Sequence, residues 1–254
     1  MADLTNYNKL TNNLEELKLF QMKESVSSYI DMVSEGSKNF TDALYELTEK
    51  EKEIKRQSAM NTCVKTAGFP FIKRLNDYDF SFQPSLNRAE IEELLSLRFI
   101  ENCENLLFVG SPGVGKTHLA TAVGIEAALH RNSVRFITCQ QLICQLKIAE
   151  SENRLDKRLH YYAGFRVLII DEIGYLNMDQ TSANIFFQLV SLRYEKKPTI
   201  ITTNKPLAKW HEIFTDPVIT NAILDRLLHH AHVINIVGQS YRTKDILGEL
   251  EDTH

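Results

Sequence analysis

The segment Gly110–Thr117 constrains the fold of this chain more than any other feature of its sequence. It contains GSPGVGKT, follows the apolar run LLFV, and precedes THLATAVGIEAAL, whose composition predicts a helix. A strand that turns through glycines into a helix directs backbone N–H groups and the positive end of the helix dipole towards one point, which suits a phosphate. This G-x-x-x-x-G-K-[ST] pattern, in this context, predicts a nucleotide-phosphate loop (Walker A) in an α/β fold.

Within the loop, two side chains have distinct predicted roles. Lys116 would bring a full positive charge to the β- and γ-phosphates, and Thr117 would offer its hydroxyl to Mg²⁺. A glycine-rich turn with an incidental lysine would not explain the flanking strand and helix. We therefore predict ATP and Mg²⁺ as cofactors, held by Gly110, Ser111, Pro112, Gly113, Val114, Gly115, Lys116, Thr117, His118 and Asp171.

Two further apolar runs end in polar residues that suit hydrolysis. VLIIDE ends in Asp171 and Glu172, and PTIITTN ends in Asn204. At the carboxyl ends of parallel strands, Asp171 would hold Mg²⁺ together with Thr117, and Glu172 would polarise the attacking water. Asn204 would orient that water or sense the γ-phosphate, although asparagine also ends strands for simple turn reasons. The acidic pair could merely cap a turn, but beside a phosphate loop it predicts an ATPase, with Lys116, Glu172 and Asn204 catalytic.

The order of elements predicts the fold class. Five short apolar runs (NLLFVG, SVRFIT, RVLIID, PTIITTN and HVINIV) alternate with helical segments, which is typical of a parallel sheet covered on both faces. Before them, residues 4–64 carry apolar residues at helical spacing, with a charged helix over 41–55 capped by Thr41. Another helix is predicted over 88–99. We place a small N-terminal helical domain at 1–75 and the α/β core at 76–254.

Composition excludes several classes of protein. The net charge of −4 and a pI near 6.1 mean that any DNA-binding surface must be local. No apolar run approaches the roughly 18 residues that cross a bilayer, and the N-terminus lacks the apolar centre of a signal peptide. We expect a cytoplasmic protein with no membrane partner. The four cysteines form no C-x-x-C pair, so reduced thiols are expected rather than a zinc or redox motif.

Several of these segments together carry a family resemblance. GSPGVGKT, VLIIDE and TTN at these intervals resemble the AAA+ ATPases. THLA (117–120), DEIGYL (171–176), RYE (193–195), TTNKP (202–206) and AILDRLLHH (222–230) resemble the IstB transposition helpers, close relatives of the DnaC helicase loaders. The resemblance extends over almost the whole chain. It implies an AAA+ core of the DnaA and DnaC branch.

The resemblance also implies a function. Such a protein oligomerises on DNA under the control of ATP, recruits or activates a partner transposase of an insertion sequence, and uses ATP hydrolysis to time disassembly. Asn204 would be sensor 1, and Arg226 would be the arginine finger that reaches the γ-phosphate of a neighbouring subunit. Without the family, Arg226 could equally pair with Asp225 or another acid. Only about a dozen residues follow Arg242, the sensor 2 candidate, so the C-terminal lid is expected to be reduced or absent.

A long insert over 140–164 is the candidate DNA surface. It divides into two helical segments around Ser151 and resembles an extra helix that lines the DNA path in the DnaA and DnaC branch. Phosphate contacts need only positive groups at suitable spacing and confer little sequence specificity. The residues predicted to contact DNA, expected to be duplex, are Lys147, Arg154, Lys157 and Arg158. A solvated helix whose charges are balanced by its own acids is the alternative.

Three other functions stay open. A DnaC-like replicative helicase loader has the same core and differs in the partner of its N-terminal domain. A small-molecule or nucleotide kinase uses the same phosphate loop, but Glu172, Asn204 and Arg226 argue against it. A scaffold that binds ATP without hydrolysing it would result if Glu172 were poorly placed.

Overall fold

The computed structural model describes residues 2–243, and the chain divides into two compact units, residues 1–62 and 63–254. The sequence predicts a boundary at 75/76 instead. The two divisions differ over the segment 63–75, in which Ala67 and Leu75 are buried in the core of the second unit. No helix among the described residues is long and apolar enough to cross a membrane.

The first unit is helical, as predicted. It contains α1 (Ala2–Glu16), α2 (Phe20–Ser34) and most of α3 (Phe40–Ala67), which continues past the division. The carboxylate of Glu51 on α3 is buried and accepts a hydrogen bond from the backbone N–H of Met22 at 3.0 Å, so α3 caps the start of α2. The core of this unit consists of Leu14, Met22, Val26, Tyr29, Ala43 and Leu47.

The start of α3 differs from the prediction. Thr41 is not its N-cap, because the helix begins one residue earlier at Phe40. The Oδ1 atom of Asn39 accepts a hydrogen bond from the backbone N–H of Asp42 at 2.8 Å, which is the geometry of a capping side chain. The helix also runs to Ala67, well beyond the predicted end at Lys55.

The helix predicted over 88–99 is two helices, α4 (Arg88–Leu94) and α5 (Arg98–Glu101). Leu97 separates them with a φ of 63°, in the left-handed region that ends a right-handed helix. Leu94, Leu97 and Phe99 are all buried, so burial of apolar side chains outweighs the helical propensity of the segment. Apolar spacing alone does not reveal such a break.

The second unit contains the predicted parallel sheet. Its order is β2-β3-β4-β1-β5, and every pairing is parallel. The strands are β1 (Asn105–Gly110), β2 (Val134–Thr138), β3 (Val167–Ile173), β4 (Thr199–Thr203) and β5 (Ala231–Ile236). The connecting helices are α6 (Lys116–Leu129), α7 (Cys139–Ser151), α8 (Leu155–Gly164), α9 (Gln180–Arg193) and α10 (Pro217–Leu228).

The sheet separates two apolar cores. Leu106 and Phe108 of β1 pack into one core with residues of α6, whereas Leu107 packs into the other with residues of α7, α8, α9 and α10. Alternate residues of a strand point to opposite faces, and both faces are buried here, as is typical of parallel sheets. Because β4 lies between β1 and β3, the end of β4 stands between the Gly110–Thr117 loop and Asp171.

A buried arginine fixes the end of α9. Arg193, the last residue of this helix, donates hydrogen bonds to the carbonyl oxygens of Tyr162, Phe165 and Pro198 and to the hydroxyl of Thr199. These acceptors belong to the segments that lead into β3 and β4. These hydrogen bonds fix the position of the backbone at Arg193, where the next segment of the chain begins.

Candidate nucleotide-binding site

The Gly110–Thr117 loop has the curled backbone that the sequence predicts. Gly113 and Gly115 have φ angles of 83° and 96°, which L side chains rarely adopt. At Gly110, a Cβ atom would lie 2.4 Å from the carbonyl oxygen of Ile236 on β5. Two glycines are therefore required by backbone conformation and one by close packing against the neighbouring strand.

The side chain of Lys116 is directed back over this loop. It is buried, and its Nζ atom donates a hydrogen bond to the carbonyl oxygen of Ser111 at 2.7 Å. Burial lowers the pKa of Lys116, whereas the negative charge of Asp171 raises it. The ammonium group thus lies beside the loop backbone with a carboxylate close enough to favour its charged form.

Asp171 connects the loop to the centre of the sheet. The hydroxyl of Thr117 donates to its carboxylate, at 3.0 Å from Oδ1 and 3.2 Å from Oδ2, and the hydroxyl of Thr202 donates to Oδ1. Burial raises the pKa of Asp171, and the two hydroxyl donors and Lys116 oppose that shift. A hydroxyl and a carboxylate side by side are oxygen ligands of the kind that Mg²⁺ takes, so Thr117 and Asp171 fit this ion.

Glu172 reaches the same cavity because of an irregularity in β3. Ile170 pairs with Ile201, but Ile173 pairs with Thr203, so β3 has one extra residue here. Glu172 has a φ of 63°, and its backbone N–H donates to the hydroxyl of Thr202 at 2.9 Å. Adjacent residues of a regular strand point to opposite faces, whereas this bulge lets Asp171 and Glu172 line one cavity.

Asn204 borders the cavity just beyond the end of β4. Its Oδ1 atom is buried, and no donor among residues 2–243 reaches it. A Cβ atom at Gly174 would lie 2.6 Å from this oxygen, so only glycine allows the turn after Glu172 to approach so closely. A buried acceptor without a donor costs about 1–3 kcal/mol, and a water molecule would satisfy it.

The cavity has a volume of about 490 Å³ and an aromatic wall. Tyr78 and Phe71 pack edge-on against the ring of His118, with centroids 5.3 and 6.2 Å away. The hydroxyl of Tyr78 donates to the carbonyl oxygen of Val114 at 3.0 Å, and burial raises its pKa to about 12. The sequence identifies His118 but not Phe71, because nothing in the segment around Phe71 connects it to the loop.

Arg242 also lines this cavity. The backbone N–H of Tyr241 donates to the carbonyl oxygen of Gly113 at 3.0 Å, which holds the neighbouring arginine beside the Gly110–Thr117 loop. The positive charge of Arg242 contributes to the lowered pKa of Lys116, after the larger effect of burial. The predicted reduction or absence of a lid concerns residues beyond 243, which lie outside the described part of the chain.

Arg226 does not line this cavity. It lies near the end of α10, where the carbonyl oxygen of Leu227 accepts a hydrogen bond from Asn105, the first residue of β1. The loop begins at Gly110, the last residue of β1, roughly 17 Å away along the strand. The guanidinium lies over the rings of Phe187 and Tyr194, at 4.6 and 5.9 Å from their centroids, rather than beside an acid of the described residues.

The four predicted DNA contacts fall into two groups. Lys147 forms an ion pair with Asp179 at 2.8 Å. Arg154, Lys157 and Arg158 line a shallow pocket of about 230 Å³ beside α7 and α8, together with the exposed Tyr161. Arg154 is paired with Glu152, and Arg158 lies over the ring of Tyr161 at 5.6 Å. Tyr162, which follows Tyr161 on α8, is buried.

The fold and the site together define a class. A parallel sheet of order β2-β3-β4-β1-β5, a G-x-x-x-x-G-K-[ST] loop after β1 and an acidic pair on β3 are those of an ATP-binding protein with the AAA+ core. The family model of the IstB-like ATP binding proteins matches residues 12–247. The chain belongs to the IstB-like ATP binding protein family, which confirms the resemblance drawn from its motifs.

Relatives agree with this assignment, and a solved structure shares the fold. The ATP-binding protein of insertion sequence IS232 from Bacillus thuringiensis subsp. berliner is 48% identical over 246 residues, covering 97% of this chain and 98% of the relative. That of IS21 from Pseudomonas aeruginosa is 42% identical over 232 residues, covering 91% and 88%. AMPPCP-bound DnaA from Aquifex aeolicus shares the fold with a TM-score of 0.55 at 19% identity, over 70% of this chain and 55% of DnaA.

Replacing Lys116 tests the nucleotide site directly. We expect Lys116→Ala to weaken ATP binding by at least about tenfold, because a charge-assisted contact to phosphate contributes about 1.5–3 kcal/mol. Binding is measured by titration with a fluorescent ATP analogue, and Trp210, the single tryptophan, reports whether the second unit stays folded. Lys209→Ala, an exposed lysine elsewhere in that unit, is the control. If Lys116→Ala and Lys209→Ala bound the ATP analogue with equal affinity, Lys116 would not be part of the nucleotide site.

Proposed function

We propose that this chain is an ATPase that regulates DNA transposition, as an oligomer on DNA that recruits or activates the transposase of its insertion sequence. ATP hydrolysis times the disassembly of that oligomer. The observation that carries the proposal is the convergence of Thr117, Asp171, Glu172 and Asn204 on one cavity. The names of the relatives, which are ATP-binding proteins of insertion sequences, support the biological setting.

The proposed chemistry divides the cavity into two sides. Lys116 and the loop backbone would hold the phosphates, and Thr117 and Asp171 would hold Mg²⁺, which supplies positive charge to the phosphate oxygens. On the other side, the Glu172 carboxylate would accept a proton from the attacking water, and Asn204 would orient that water. The hydroxyl of Thr202 positions both Asp171 and the backbone of Glu172, which makes it a positioning residue.

Two basic groups would complete the site. Arg242 lies beside Lys116 and would act as sensor 2 on the phosphates of its own chain. Arg226 lies at the opposite end of the sheet, so we propose that it reaches the γ-phosphate of the next subunit. This arrangement makes hydrolysis depend on assembly, which suits a protein that must act only where several copies are bound.

DNA would bind along α7 and α8. Lys157, Arg158 and Arg154 line one surface with Tyr161, and repetition of that surface around an oligomer would follow a phosphate backbone. Lys147 would join them once its ion pair with Asp179 opens, which is a small cost for an exposed pair. We propose the N-terminal unit as the contact to the transposase, because the residues that line the nucleotide cavity all belong to the second unit.

Glu172→Gln is the variant that separates ATP binding from hydrolysis. The amide retains the shape of the side chain but cannot accept a proton, so we expect turnover to fall by about 10²-fold or more with ATP affinity unchanged. Phosphate release with duplex DNA present measures turnover. Electron microscopy should show a long-lived oligomer on DNA.

The oligomer trapped by Glu172→Gln also tests the partner. It is offered the cognate transposase and a replicative helicase in parallel pull-down experiments. Capture of the transposase supports the proposal, whereas capture of the helicase alone would favour a loader. Turnover at the parental rate would disprove the role of Glu172.

Mixed oligomers test whether Arg226 acts across an interface. Arg226→Ala should bind ATP normally but hydrolyse it about 10³-fold more slowly, the lower limit for loss of an arginine finger. Lys116→Ala subunits cannot use their own site but retain Arg226, so adding them should restore turnover. The double variant, Lys116→Ala with Arg226→Ala, is the matched control and should restore none. If neither the mixture with Lys116→Ala nor the mixture with the double variant restores turnover, Arg226 does not act in trans.

The DNA surface is tested by its salt dependence. We expect the double variant Lys157→Ala, Arg158→Ala to bind duplex DNA more weakly and to reduce the slope of log affinity against log salt concentration by about 2, because each of the two cations would neutralise one phosphate in the parent. Fluorescence anisotropy with ATP present gives the slope, and Lys209→Ala should keep the parental value. An unchanged slope in the double variant would place the DNA elsewhere.

A further inference from the structure

A second group of ligand-type side chains lies outside the nucleotide cavity. Glu195, just after α9, meets His229 and His230, just after α10. The Oε1 atom of Glu195 is 3.4 Å from Nδ1 of His229 and 3.7 Å from Nε2 of His230. One ligand atom from each of the three residues lies within 4.8 Å of the others. Nothing in the proposed ATPase cycle uses these groups.

The spacing of these atoms matches that of a bound transition metal. Zinc binds imidazole nitrogens and carboxylate oxygens at about 2.0–2.2 Å in tetrahedral geometry, which places the ligand atoms about 3.3–3.5 Å from one another. The two distances from Glu195 lie at or just above that range. The three ligand atoms lie within 4.8 Å of one another, so rotation of the exposed side chains would bring them together on one ion.

The chemistry of the ligands selects the class of ion. Two imidazoles and one carboxylate suit Zn²⁺ and its neighbours in the first transition series, whereas Mg²⁺ and Ca²⁺ prefer oxygen ligands alone. The ring centroids of His229 and His230 lie 4.1 Å apart, so the two imidazoles are side by side. The carboxylate of Glu195 would balance part of the charge of an ion bound by their nitrogen atoms.

The surroundings hold these residues in place. Glu195 follows Tyr194 and the buried anchor Arg193, and it has a φ of 55°. The ring of His229 stacks on that of Tyr194, and the Tyr194 hydroxyl lies 2.7 Å from Nδ1 of His229. The hydroxyl contact would be lost when an ion binds Nδ1, but the stacking on Tyr194 can persist and limits the entropy lost on binding by side chains that are about half exposed.

We propose that Glu195, His229 and His230 bind one divalent transition-metal ion of the Zn²⁺ type, with water in the fourth position. The site lies beside Arg226, since Tyr194 contacts both the arginine and His229. A metal ion on Nδ1 of His229 displaces the Tyr194 hydroxyl from that atom and so alters the aromatic support of Arg226. Metal binding would thereby regulate ATP turnover, a step that rests on the proposed role of Arg226.

Binding is measured by isothermal titration of the full chain with Zn²⁺ in the absence of nucleotide. The chain carries Cys144→Ser, which removes the exposed thiol. We expect one ion per chain, and an affinity at least about 100-fold lower in the double variant His229→Ala, His230→Ala, which loses two of three ligands. Glu195→Gln should weaken binding as well. His211→Ala, an exposed histidine on the same unit, should leave it unchanged.

Two results would overturn the metal site: no stoichiometric binding, or equal binding by the parent and the double histidine variant. The regulatory step has a separate readout. Zn²⁺ added to the reaction with Mg²⁺ and ATP should change the turnover of the parent more than that of the double variant. Because the double variant retains Asp171, any effect of Zn²⁺ at that residue is the same in both proteins and cancels in the comparison. Zn²⁺ binding without a difference in turnover between the parent and the double variant would disprove the regulatory step but leave the metal site standing. If the chain hydrolysed no ATP, the proposed ATPase function would fail, but Zn²⁺ binding would still be expected.

Discussion

The nucleotide site depends on the hydrogen bonds that meet at Asp171. Its carboxylate accepts from Thr117 at the start of α6 and from Thr202 on β4, so one side chain ties the phosphate loop to two central strands. Burying a carboxylate is costly unless donors satisfy it, and these hydroxyls with Lys116 supply that compensation. The loop and the acidic strand are two strands apart in the sheet, and without this link each would be positioned only by its own packing.

Thr202 extends the same link to the second carboxylate. Its hydroxyl donates to Asp171 and accepts from the backbone N–H of Glu172, at the bulge where β3 gains a residue. The bulge brings Glu172 round to the cavity, and Gly174 then allows the chain to pass close to Asn204. The two residues proposed to act on the attacking water, Glu172 and Asn204, are therefore positioned by one hydroxyl and one glycine, neither of which contacts the phosphates in the proposed mechanism.

The sequence predicted what is encoded locally. A strand, a glycine-rich turn and a helix in succession suffice to predict the curled loop Gly110–Thr117, and alternating apolar runs suffice for a parallel sheet. The strand order is not local, so neither the place of β4 between β1 and β3 nor the pairing of Thr202 with Asp171 was predictable from spacing. The same limit explains why Phe71 was missed, because its ring contact with His118 joins residues far apart in the chain. It also explains why one helix was predicted where Leu97 separates two, because Leu97 is buried among distant residues.

The topology of a parallel sheet bears on why Arg226 would serve a neighbour. All loops that follow strands lie at one end of the sheet, and all segments that lead into strands lie at the other. Arg226 belongs to the second group, since α10 leads into β5 and is joined to the first residue of β1. The phosphate loop belongs to the first group. A rigid sheet keeps its two ends apart by the length of its strands. An arginine at this position can therefore meet a γ-phosphate only when the end of the sheet that carries Arg226 in one subunit faces the Gly110–Thr117 loop of another subunit.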